Sequence, residues 1–279
     1  MSGSTNLTPT SQVGKTILGI MRELEAYSGI APTYDTNSTL NAKYNNQKTA
    51  LPTALPSVAY FGIGIGGCYN VSSINLVQPY PVLQTNMDLY QPIPFRCVPQ
   101  TQDLTAAERA QYRMRVLQSF NGNNYWCYYL KMITFSQSSV SITETDTVTN
   151  LMTPYTLNYA DLNPTPPAVS SNGTITPSNT EINVSIASTL PVTGAEVTES
   201  INVIYNGNLL YARLSEIGLY SGQDLVVSAP DGNGNTISYT EAVLAQLNVQ
   251  YTWSSDDFSS PTRVSNYQIT NGSGSLLLA

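Results

Sequence analysis

The stretch Leu209-Leu210-Tyr211-Ala212-Arg213-Leu214-Ser215-Glu216-Ile217-Gly218-Leu219-Tyr220 carries apolar residues on both parities. Leu210, Ala212 and Leu214 fall on one, and Tyr211, Ile217 and Leu219 on the other. A strand of that kind has to be covered on both faces, so much of the chain is committed to packing around it. Turn-forming clusters bound it, Asn206-Gly207-Asn208 before and Ser221-Gly222-Gln223-Asp224 after. Leu225-Val226-Val227 then reads as the returning arm of a core hairpin. The expected fold is mainly β with a few short helices, a β-sandwich-like core with long extended arms.

Five segments follow in order. Residues 1–57 hold an amphipathic helix over 11–29, with Ser11 as N-cap, a stripe of Val13, Ile17, Met21 and Leu24, and Gly29 as the stop. A polar arm over 33–56 comes next, of a length that commonly contacts a neighbour. Residues 58–150 form a first β-rich part. It has a strand at 58–61 running into the glycines 62–67, a capping box at Thr105-Ala106-Ala107-Glu108, a hairpin over 112–135 turning at Asn121-Gly122-Asn123-Asn124, and a strand at 140–150. Residues 151–181, with Pro154, Pro164, Pro166, Pro167 and Pro177 among Ser, Asn and Thr, read as a linker or crossing segment. Residues 182–258 complete the core through strands at 182–186, 201–205 and 248–253, with a short helix at 239–247. Residues 259–279 read as a flexible tail with a Leu-rich tip.

Charge is scarce and unevenly placed. Lys, Arg, Asp and Glu make up 10% of the chain, against roughly 25% in ordinary soluble domains. Residues 1–140 hold nine cations and six anions, and residues 141–279 hold two and twelve, so +3 and −10 give the net −7. An acidic C-terminal half argues against nucleic acid there. Halves of opposite sign are expected to steer copies of the chain together head to tail. Nineteen tyrosines suit β-structure and protein contacts, because Tyr joins contact area to a polar tip.

Cys68, Cys97 and Cys127 fit neither metal spacing nor a disulfide framework and read as reduced thiols of a cytoplasm-made protein. The start has no signal-peptide pattern, and no apolar run reaches membrane length.

Motifs for chemistry dissolve one by one. Gly14-Lys15-Thr16 resembles the end of a phosphate loop, but Pro9 stands where its first glycine belongs. Gly62-Ile63-Gly64-Ile65-Gly66-Gly67 fits a dinucleotide fingerprint, with Asp88 some twenty residues on. Turn and strand residues follow it rather than a helix, so close backbone packing is the expected use. The chain has no histidine, which removes Ser/His, Cys/His and His-ligated metal sites. Asp231-Gly232-Asn233-Gly234-Asn235 opens like a calcium loop, but its twelfth position is Ala242, beside Glu241; a plain turn is expected. Asp256, Asp257, Glu216 and Asp224 are the acids that a glycan hydrolase could pair. Glu216, inside the apolar strand, is expected to anchor a turn or pair with Arg213. Arg109, Arg113, Arg115 and Lys131, interleaved with Tyr112, Tyr125, Tyr128 and Tyr129, form a basic patch that reads as a solvated or subunit-facing sheet surface rather than a nucleic-acid platform.

Three elements in this order carry a resemblance: Tyr60-Phe61-Gly62-Ile63-Gly64, Leu214-Ser215-Glu216-Ile217-Gly218-Leu219-Tyr220 and Val249-Gln250-Tyr251-Thr252-Trp253. Together they resemble the small β-rich attachment domain of bacteriophage tail-fibre and baseplate-associated proteins, in which the glycine segment and the Glu-Ile-Gly-Leu-Tyr strand share a docking sheet. Leu89–Arg96, 104–115 and 128–131 are similar to regions of tailed-phage structural proteins. The resemblance implies a virion structural protein, made in the host cytoplasm, that acts in the tail, baseplate, fibre-attachment or neck region. It implies homo-oligomers and partners among other virion proteins, and no nucleic acid, membrane, catalytic residue, metal or cofactor. The other expectation is a host-glycan receptor-binding module, with Trp126 or Trp253 stacking on a sugar.

Overall fold

The computed structural model describes residues 11–30, 40–45, 56–71, 76–136, 139–158, 165–166, 168–175 and 177–278. In chain order the elements are β1 (Ser11–Lys15), α1 (Ile17–Ser28), α2 (Leu40–Lys43), β2 (Ser57–Gly64), β3 (Cys68–Val71), β4 (Leu76–Pro79), β5 (Pro92–Ile93) and β6 (Arg96–Pro99). There follow α3 (Ala106–Arg109), β7 (Arg115–Phe120), β8 (Asn123–Tyr128), β9 (Lys131–Met132), β10 (Val140–Asp146), β11 (Met152–Pro154) and β12 (Pro177–Thr193). The chain closes with α4 (Gly194–Ile204), a 3-10 turn at Leu209–Tyr211, β13 (Arg213–Pro230), β14 (Thr236–Asp257) and β15 (Val264–Leu278). The protein is mainly β.

Two compact units divide the chain. The first takes residues 1–133 and 191–265 and holds a six-stranded sheet, ordered β1-β14-β13-β2-β5 with β9 also on β2, and a three-stranded sheet β6-β8-β7. Tyr60 of β2, Cys97 of β6, Val116 of β7, Cys127 of β8, Tyr220 of β13 and Leu247 of β14 share one buried cluster, so both sheets contribute to the same core. β13 is central, between β14 and β2, and every residue from Leu214 to Gly222 is buried. The two-faced strand expected from the sequence is therefore this one, with its start moved. Leu209–Tyr211 is a 3-10 turn, and Leu210 is exposed.

The expected turn at 221–224 is a ladder irregularity instead. The register slips between Ser221 and Gln223, and the strand continues to Pro230. A bulge accommodates the Ser-Gly pair without reversing the chain. The reversal falls at 231–235, and β14 is the returning arm.

Three further expectations are corrected. Ser11 lies in β1, paired with Trp253; the helix begins later, at Thr16, whose hydroxyl accepts from Gly19 N at 3.0 Å, and Gly29 ends it at φ 65° as expected. Residues 239–247 are strand: helical composition yields to the β13 ladder, and Asn41 fixes the local irregularity by bonding Ala242 O and Ala245 N at 2.8 and 2.9 Å. Residues 201–205 belong mostly to α4, nucleated by a reciprocal cap between Thr193 and Glu196. The capping box at Thr105 and Glu108 stands as expected, and the hairpin reverses at the expected place but on Asn121-Gly122 alone, with Asn123 and Asn124 already in β8.

The described part of the arm, Leu40–Lys43, lies on its own core, where Leu40 and Asn41 are buried and Tyr44 stacks on Tyr129 at 4.5 Å. The remainder of that arm, 33–39 and 46–55, is outside the described residues.

The second unit, residues 134–190 and 266–279, holds the four-stranded sheet β11-β10-β12-β15. Its makeup corrects the two ends of the linker or crossing segment, and the flexible tail. Met152 and Pro154 of the supposed linker pair with Thr145 and Thr143 of β10, residues 177–181 are strand, and 264–278 is an edge strand on β12. Backbone pairing holds these segments together where few apolar side chains advertise it.

Candidate functional site

Glu216 organises the surface most suited to contact. Its side chain leaves β13 opposite Gly64 of β2 and is fully buried. Oε1 accepts from Gly66 N at 3.1 Å and Gln91 N at 2.8 Å; Oε2 accepts from Tyr90 N at 2.9 Å and Gln250 Nε2 at 3.0 Å. Burial pushes this carboxyl up from its ordinary value, and the hydrogen bonds oppose the shift without cancelling it. The turn-anchor reading of Glu216 is the one the geometry supports, with two loops tied down in place of one. Arg213 is exposed on the same strand and forms no ion pair with it.

The glycines are where this clamp needs them. A Cβ on Gly64 would stand 2.5 Å from Glu216 Oε1, and one on Gly67 would stand 2.1 Å from Ser215 O. The segment leads into β3 rather than a helix, so close packing is its role and no phosphate cradle forms.

On the segment so fixed lies a tyrosine cluster. Tyr80 N donates to Gly67 O at 2.8 Å, and Thr252 Oγ1 donates to Tyr80 O at 2.6 Å. The Tyr69 and Tyr80 rings are 4.8 Å apart, those of Tyr80 and Tyr90 are 5.6 Å apart, and Tyr90 Oη donates to Pro81 O at 2.6 Å. These three residues remain 39–42% exposed, and Leu83 and Met87 of the same stretch are exposed beside them in sequence. Gln91 donates to the hydroxyl of Tyr205, whose ring stacks on Tyr211 at 4.3 Å. From residue 65 to 95 the sequence holds one charge, Asp88, and Lys43, Tyr220 Oη and Leu89 N engage it. This is a rigid, neutral, aromatic surface suited to stacking and hydroxyl contacts.

The basic patch is not a surface. Arg113 Nε sits 3.0 Å from both Asp224 oxygens, Arg115 Nη2 is 2.7 Å from Asp103, Lys131 Nζ is 2.7 Å from Glu196, and Arg109 is 3.7 Å from Asp103. Arg113, Arg115 and Lys131 are all under 9% exposed. Buried cations are retained because carboxylates meet them, and the tyrosines between them pack inward. Arg113–Asp224, Lys131–Glu196 and Arg96–Glu199 each join the basic half of the sequence to the acidic half within one chain, so three of the nine cations of the basic half are spent internally on the acidic one.

The remaining candidates have ordinary duties. Lys15 pairs with Glu23, and Thr16 donates to Leu247 O. Asp231 Oδ1 accepts from Asn233 N and Asn235 N at 2.8 and 3.1 Å, which closes a turn on itself. Glu241 is buried within β14. Asp256 faces Arg263 at 3.6 Å, and Asp257 accepts from Ser259 N. Glu216 and Asp224 lie eight positions apart on β13, about 25 Å along an extended strand, so they do not converge as a hydrolytic pair. Among the described residues no group of three or more His, Cys, Asp or Glu is placed to hold a metal. No helix among them is long and apolar enough to cross a membrane. Trp126 is 7% exposed with the Arg115 guanidinium 3.3 Å from its ring centroid, which takes it out of any stacking role toward a sugar. Cys97 and Cys127 face each other as buried thiols across β6 and β8; Cys68 is half-buried.

The tyrosine cluster was not singled out in the sequence. Its signal was the near absence of charge from 65 to 95 combined with Tyr69, Tyr80 and Tyr90.

A family model described as a family of unknown function, DUF7208, matches residues 2–271. No curated protein and no solved structure matches the chain.

Proposed function

The chain belongs to the DUF7208 family, whose function is unknown; from the resemblance of residues 60–64, 214–220 and 249–253 to phage tail-attachment domains, we propose that it is a structural component of a tailed-phage virion. In this reading it is made in the host cytoplasm and assembles in the tail, baseplate, fibre-attachment or neck region, with copies of itself and other virion proteins as partners. It does its work by contact and not by turnover.

One observation carries the reading: the neutral Tyr69–Tyr80–Tyr90 surface, held by a buried carboxylate that ties both supporting loops to the central strand. Rigid tyrosines lose little entropy when covered, and Tyr is enriched where proteins meet. The internal use of the cations points the same way, since it leaves few charges whose solvation a contact would disturb.

Complementation tests it. A phage whose own copy is deleted is supplied with the wild-type protein or a Tyr80→Ser/Tyr90→Ser variant. Wild type is expected in purified particles and the variant at severalfold lower occupancy. Equal incorporation of the two would remove the tyrosine surface from the account.

The second reading is a glycan-binding tail module. The same rings, with Asn70, Gln78 and Gln91 on the same stretch of chain, offer stacking and amide hydrogen bonds to an uncharged sugar. A glycan-array signal abolished by Tyr80→Ala would favour it over the structural role.

A further inference from the structure

Helix α1 is mounted with its apolar side outward. At about 100° per residue, Ile17, Ile20, Met21, Leu24 and Tyr27 fall in one arc roughly 120° wide. That is the stripe by which an amphipathic helix ordinarily seats on its domain. Here the opposite side is seated: Leu18, Gly19 and Arg22 are buried, and Arg22 pairs with Glu25 beneath the helix. Gly19 makes this possible, because a Cβ there would stand 2.3 Å from Asn248 O of β14. The five apolar side chains are left 41, 38, 38, 61 and 93% exposed, respectively. Of the stripe named from the sequence, Val13 lies in β1, while Ile17, Met21 and Leu24 face away from the core.

We infer that this stripe is a self-association surface, on which α1 of a second copy packs in a two-fold, antiparallel contact. Three observations select that occupant. The spacing of the five residues is that of a helix seam, so the complementary shape is another helix with the same pattern. The described residues hold just one other helix of eight or more residues, α4, and none of its large apolar side chains is exposed, so α1 is its own best complement. The exposed apolar area is on the order of 500 Å² per copy, or ~1,000 Å² for a pair before any rim is counted, which reaches the floor for a specific interface. Charge argues against a lipid surface as the occupant. A helix lying on a membrane carries flanking cations, whereas Arg22 is buried here and Lys15 is held by Glu23 at 2.7 Å.

The inference names a surface for the self-association that the virion reading includes, but it rests on the geometry of α1, and its failure would leave that reading standing. Sedimentation equilibrium on the purified full chain over a range of micromolar concentrations tests it. Wild type is expected to be dimeric or larger, and Leu24→Asp/Tyr27→Asp to dissociate roughly a hundredfold more readily, an effect of the size that loss of a central interface cluster produces. Both positions are solvent-exposed, and an unchanged thermal melt of the dilute variant verifies its fold. Val226→Asp, at an exposed apolar site on β13, is expected to associate like wild type. A wild-type monomer throughout, association that survives the double substitution, or a wild-type monomer that binds vesicles of mixed neutral and anionic lipid through α1 would each overturn the inference.

Discussion

Gly64 and Glu216 stand opposite each other on β2 and β13, and a methyl group on Gly64 would reach within 2.5 Å of the Glu216 carboxylate. The strand, the two loops it restrains and the tyrosines above them depend on that vacancy. Gly64→Ala is expected to lower stability by about 2–3 kcal/mol through overpacking against a fixed, hydrogen-bonded group. Urea denaturation measures it.

Removing the carboxylate itself strands three backbone donors, on Gly66, Tyr90 and Gln91. At ~1–3 kcal/mol for each unsatisfied buried donor, Glu216→Ala is expected to cost several kcal/mol. Hydrogen exchange of the 90–91 amides should accelerate well before global unfolding does. Unchanged protection there would mean that the clamp does not hold these loops.

Lys131 and Glu196 form a buried pair whose partners come from opposite halves of the sequence. Lys131→Met leaves the carboxylate without its cation and is expected to cost about 3–5 kcal/mol. The loss should be insensitive to salt, because buried charges are poorly screened. Thermal melts at low and high ionic strength test both points, and a salt-dependent loss would place the pair in solvent.

Glu241 carries a pH signature. Burial pushes its carboxyl from an ordinary 4.5 up to about 8, with Tyr239, Arg115 and a backbone hydrogen bond pulling the other way. The folded state then holds a proton that the unfolded state releases, so this group's contribution is full below pH ~4.5 and is lost as pH rises through ~8, amounting to about 4–5 kcal/mol. Glu216, raised in the same direction, adds to the trend. Melting temperature should fall as pH rises from about 5 to about 8 and level off above that, and Glu241→Gln should flatten the slope. A wild-type profile that rises over that interval contradicts the assignment.

What the sequence made legible followed from residues whose local chemistry permits one outcome. The two-parity stretch at 214–220, the Asn121-Gly122 turn, the Thr105–Glu108 cap and Gly29 each specified their element. The misreadings share a cause, which is that partners distant in sequence decided the structure. Residues 239–247 look helical until β13 is alongside, and the same capping pattern recognised at Thr105 passed unread at Thr193. The apolar stripe of α1 was visible, but its direction was set by Gly19 against Asn248. The basic patch looked solvated because Glu196 and Asp224 are 65 and 111 residues from Lys131 and Arg113.

Quantitative mass spectrometry of gradient-purified phage particles tests the central claim most directly. The account predicts this chain at a fixed, reproducible copy number per particle, resistant to salt washing. Its absence from particles, together with a purified protein that converts a substrate, would contradict it.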